Sequence, residues 1–135
     1  MTHTIGRKPE PLPRAYELED TLAHLGGKLL AETIPEWIAG NIDPQEQDHE
    51  RATFTKKIKK EDGLIDLAGD PEINFRKIRA YDPWPGTYFF RGNIRIKITD
   101  AALKDGKLQI LRVIPEGKKE MAYEAFANAE HKKPH

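Results

Sequence analysis

Two prolines enclosing a tryptophan, in Asp82-Pro83-Trp84-Pro85-Gly86, constrain this chain more than any other feature. Each proline fixes its own φ and lacks a backbone donor, and each pushes the preceding residue out of the helical region. Neither a helix nor a central strand can run through such a stretch, so the chain turns a corner there. The two sides obey different periods. Before the corner, Asp70-Pro71 predicts a helix start, an N-cap followed by proline at the first helical position. That helix runs to about Ala80 with Phe75 and Ile78 inward. After the corner the period is two. Residues 87–90 form an aromatic strand, Arg91-Gly92-Asn93 a tight turn, and Ile94-Arg95-Ile96-Lys97-Ile98 a strand with isoleucines in and cations out.

The β pattern extends in both directions. Asp105-Gly106 is a hairpin signal, and residues 108–114 are a strand stopped by Pro115-Glu116-Gly117. Residues 53–58 read as a strand, Lys59-Lys60-Glu61-Asp62-Gly63 as a turn, and residues 64–67 as a short strand. Met121, Tyr123 and Phe126 belong to a short terminal helix or packed tail. Alternation buries at least one of Tyr88 and Phe90, and Trp84 is expected to plug the base of the barrel. The expected fold is α+β: an N-terminal helix and linker, then a small, partly open, OB-like β-barrel with one helix. Barrels of that kind bind oligonucleotides in other proteins.

Upstream, residues 1–13 hold three prolines and little apolar material and read as a disordered leader. Leu18, Leu22, Leu25 and Leu29 then form one helical stripe, so residues 14–40 read as a helix. Pro35 should kink or restart it, and Gly40 should stop it. Gly26 and Gly27 each cost roughly 1 kcal/mol against alanine unless something packs against the backbone there. Residues 41–51 are a polar linker, residues 52–128 the barrel domain, and residues 129–135 a tail. The stripe has no obvious partner in the chain, and it either folds back or docks on another protein.

Chemistry-bearing motifs are scarce. There is no cysteine, which excludes disulfides and cysteine-rich zinc sites. The five histidines are scattered without metal spacing, and Gly26-Gly27 lacks the pattern of a phosphate loop. No stretch is long enough to span a membrane and no secretory signal opens the chain, so a cytoplasmic location is expected. The net charge of zero conceals an asymmetry: residues 1–52 carry −5 and residues 53–135 carry +5. The cations of the second part fall in four groups: Lys56, Lys57, Lys59 and Lys60; Arg76, Lys77 and Arg79; Arg95 and Lys97; Lys118 and Lys119. Each alone is an ordinary solvated charge. Brought together, they would make a phosphate-tracking surface.

Several segments, in order, resemble one family. These are Leu25-Gly26 with Leu29-Leu30 and Ile34-Pro35, then Pro44 with Gln47-Asp48, then Ala52-Thr53-Phe54 and Lys57-Ile58 through Asp66. The corner with Ile78-Arg79-Ala80, Arg95-Ile96-Lys97-Ile98, and Val113 with Pro115-Glu116-Gly117-Lys118-Lys119 complete the set. Together they resemble the C-terminal domain of methionyl-tRNA formyltransferases, preceded by the last helix of the catalytic domain. The resemblance implies a domain that grips initiator methionyl-tRNA in translation initiation while a catalytic domain, with its Asn, His and Asp, moves a formyl group from 10-formyltetrahydrofolate. It carries over basic positions to Lys57, Lys60, Arg79, Lys97, Lys118 and Lys119 as nucleic-acid-binding candidates. It implies no catalytic residue, metal or cofactor in this chain, and leaves the catalytic half to be supplied by a separately encoded chain. Two other readings stand beside it: a module that docks a separate catalytic chain, and the C-terminal domain of a sugar-nucleotide formyltransferase.

Overall fold

The computed structural model describes residues 12–130. These divide into two units, residues 16–58 and residues 12–15 with 59–130. The expected leader and tail lie largely outside the described residues.

In the first unit, α1 (Ala15–Ile38) is one continuous helix with Pro35 inside it. The expected restart at Pro35 does not occur. Gly40, with φ 75°, ends the helical path, where glycine costs least. Nothing approaches within 4 Å of a Cβ built at Gly26 or Gly27, so no close packing explains the two glycines. Leu18, Leu22, Leu25, Leu29 and Trp37 are all exposed. Residues 53–58 make no strand. A strand exists only through a ladder, and these residues have no partner segment; Phe54 is 95% exposed.

The second unit is built on a four-stranded antiparallel sheet in the order β1-β2-β3-β4. Its strands are β1 (Thr87–Arg91), β2 (Ile94–Lys104), β3 (Lys107–Pro115) and the short β4 (Met121–Ala122). The turn between β2 and β3 is Asp105-Gly106, with φ of 50° and 71°. Two consecutive positive φ values match the twist of the flanking strands, which is why this dipeptide joins hairpins. The expected strand at residues 64–67 reduces to a single parallel bridge between Leu64 and Tyr88. The sheet is open, with β1 and β4 at its edges, so the α+β reading holds.

Alternation decides the core. Phe89 on β1 lies opposite Ile96 on β2, and Ile98 opposite Val113 on β3. These side chains bury together with Ile65, Ile78 and Phe126. Ile96 and Val113 are fully buried, each contributing about 1.5–3 kcal/mol relative to exposure. The helix α2 (Pro71–Ala80) covers this inner face through Ile78. Its N-cap is Asp70, whose Oδ1 accepts from the amides of Glu72 and Ile73. Asn74, not Phe75, is the second buried residue of α2. Its Nδ2 donates to the Asp66 carbonyl at 2.6 Å, which offsets the cost of burying an amide. The last helix, α3 (Tyr123–Glu130), seats Phe126 against the same core.

Two polar ties complete this unit. Arg14 donates from Nη1 to Asp82 Oδ2 at 2.6 Å and from Nη2 to Asp100 Oδ1 at 2.9 Å, with only 17% of its side chain exposed. One guanidinium thus separates two carboxylates that would repel each other without it. Arg112 grips Glu120 Oε2 through Nε and Nη2. That contact holds the Glu120 carboxyl below its ordinary range. A lowered carboxyl pKa stabilises the fold above the unfolded value, and the benefit is lost as pH falls through the folded one.

Candidate nucleic-acid interface

The corner places the site. Gly86 has φ 74°, and its amide donates to the Tyr81 carbonyl at 2.8 Å. The turn at Lys60–Gly63 packs on it so closely that a Cβ on Gly63 would lie 2.1 Å from the Gly86 carbonyl oxygen. The side chain of Lys97 lies along Gly86 as well, its Cε 2.8 Å from where a Cβ would stand. Both glycines are there because three segments meet at one point. Trp84 does not plug the base of the sheet. It is 56% exposed.

On the outer face of the sheet, the residues that alternate with the core are Tyr88, Phe90, Arg95 and Lys97. Phe90 is paired with Arg95 and Tyr88 with Lys97. The Arg95 guanidinium lies 4.2 Å above the Tyr88 ring, a cation–π contact that fixes its direction. Tyr88 is buried beneath it and meets Phe90 with the two rings perpendicular, centroids 5.7 Å apart. Arg95 and Lys97 open onto a shallow hollow of about 190 Å³ that they share with Ile114, Pro115, Glu116 and Gly117. Its floor is tied to β2 by the Glu116 amide, which donates to the Arg95 carbonyl at 2.9 Å. Lys118 and Lys119 follow on the same turn, exposed.

Of the six expected positions, Lys97 lines the hollow, and Lys118 and Lys119 follow its wall residue Gly117 in the chain. Lys60 stands on the turn whose Gly63 packs against Gly86. Arg79 does not join them. It sits on α2, which covers the opposite face, and its Nε donates to the Leu12 carbonyl at 2.6 Å. Lys57 belongs to the other unit. Arg95 was visible as a cation beside Lys97, but its central place depends on Tyr88 lying under it, which no sequence spacing reports. Among the described residues no group of His, Cys, Asp or Glu could hold a metal ion, and no helix is long and apolar enough to cross a membrane.

The profile of the formyl transferase C-terminal domain matches residues 57–107. The methionyl-tRNA formyltransferase of Chloroflexus aurantiacus is 47% identical over 98 residues, covering 71% of this chain and 32% of that protein. Residues 57–107 of the chain belong to the formyl transferase C-terminal domain family. The enzyme of the same name from Thermotoga maritima is 42% identical over 89 residues, covering 66% of this chain and 28% of that protein. A solved methionyl-tRNA formyltransferase from Clostridium thermocellum superposes with a TM-score of 0.46 and 24% identity, over 67% of this chain and 37% of that one. The chain spans about a third of the length of the curated relatives it matches. The corner, β1, β2 and the Asp105-Gly106 turn all fall inside the matched residues, and the hollow joins residues inside them to the turn beyond.

Proposed function

We propose that this chain is the RNA-holding part of a methionyl-tRNA formyltransferase, and that its outer sheet face binds initiator methionyl-tRNA. One observation carries the reading: Arg95 and Lys97, held side by side, share an open hollow with the turn that leads to Lys118 and Lys119. Cations fixed on one face can follow a phosphate backbone and set its register. Holding the RNA would aim its aminoacyl end at a formyl donor, 10-formyltetrahydrofolate, bound by the part of the relatives that this chain does not match. Positioning of that kind is worth several kcal/mol to a bimolecular step. The relatives are named for methionyl-tRNA, which favours this ligand over a sugar nucleotide.

A filter-binding titration with initiator methionyl-tRNA tests the reading. Affinity should fall log-linearly as salt rises, because each phosphate contact releases counterions. Binding that ignores salt, or no binding, overturns it.

The exposed stripe of α1 favours a second role, docking of the catalytic portion. Isolated helices of this length are marginal in water. In the chain alone, the α1 amides should exchange rapidly with solvent or the chain should self-associate. A monomer with protected α1 amides contradicts this role.

A further inference from the structure

Phe90 is the unexplained residue of the outer face. It stands on β1 after three buried residues, yet it is 55% exposed. Its ring stands perpendicular to that of Tyr88, centroids 5.7 Å apart, so the contact orients a largely exposed aromatic surface. Directly opposite in register is Arg95, its guanidinium already fixed over Tyr88. Lys97 follows two residues along the same face, about 6.6 Å away at strand spacing. Glu116 also lines the hollow, and its Oε2 accepts from the Arg95 amide at 3.4 Å.

We infer that this face captures one unpaired nucleotide, its base stacked on Phe90 and its phosphate held between Arg95 and Lys97. The inference rests on the reading of the chain as an RNA-holding domain and adds to it a preference for unpaired over duplex RNA. Stacking tolerates any base, because every base offers a π face. It also leaves a signature that charge alone does not: stacking is insensitive to salt, whereas phosphate contacts set the salt slope.

The test compares the full chain with Phe90→Leu on two probes, a single-stranded uridine dodecamer RNA and a blunt RNA duplex of the same length. Phe90→Leu should weaken single-strand binding about tenfold, with the salt slope and the duplex affinity unchanged, and Phe90→Tyr should restore it. Melting curves of both variants should match the parent, since the ring is largely exposed. The inference is overturned by unchanged single-strand affinity in Phe90→Leu, by equal losses on both probes, by failure of Phe90→Tyr to rescue, or by a parent chain that ignores the single strand. A parallel titration with initiator methionyl-tRNA separates the two levels. Salt-dependent tRNA binding that survives any of those outcomes leaves the RNA-holding reading standing and removes only the nucleotide site.

Discussion

Replacing Gly63 with alanine should lower the melting temperature of the sheet unit by more than about 10 °C. The added methyl would sit 2.1 Å from the Gly86 carbonyl oxygen. The obstacle is backbone on a corner closed by the Gly86–Tyr81 hydrogen bond, so it cannot swing aside as a flexible side chain would. Overpacking a tight contact costs about 1–3 kcal/mol and occasionally more. In a domain of this size each kcal/mol moves the midpoint by about 4–8 °C. The effect should reach the site as well, because Lys97 lies along Gly86. Gly26→Ala is the control: its methyl meets nothing within 4 Å and lies in mid-helix, so it should not lower stability. Thermal unfolding followed by circular dichroism reads both. A melting temperature for Gly63→Ala within about 2 °C of the parent would show that the corner yields.

The second large effect concerns charge. The double reversal Arg95→Glu with Lys97→Glu should weaken tRNA binding roughly 30-fold or more at physiological salt, and should flatten the slope of log affinity against log salt by about two. Two phosphate contacts vanish and two repulsions replace them. Lys104→Glu with Lys107→Glu changes the net charge equally but sits beside the Asp105-Gly106 turn, at the other end of the β2–β3 hairpin. It should cost no more than about threefold, through the long-range field alone. Equal losses in the two variants would mean that the protein attracts RNA by net charge and has no localised site.

Much of the architecture was legible because it is written locally. Asp70-Pro71 starts α2, Asp105-Gly106 joins β2 to β3, and the alternation across residues 94–98 gives β2 its inner and outer faces. Each signal is a backbone preference or a period spanning a few residues. Where a partner was needed, local signals failed. Residues 53–58 have strand composition but no neighbouring strand, and Trp84 has core chemistry yet stands 56% exposed. Phe75 was expected inward by its apolar type, yet Asn74 is the buried neighbour, its amide satisfied by the Asp66 carbonyl.

The amino-acid sequence by itself determined the corner, the turns, the two periods and the supply of cations, since each depends on φ/ψ limits or side-chain type within a short window. Only the tertiary structure decided which cations meet. Arg95 and Lys97 share one hollow with the turn that leads to Lys118 while Arg79 is drawn to the Leu12 carbonyl, and Arg95 is aimed by a tyrosine beneath it. Convergence of that kind is set by strand register and by which face is buried, and both follow from contacts between residues far apart in the chain.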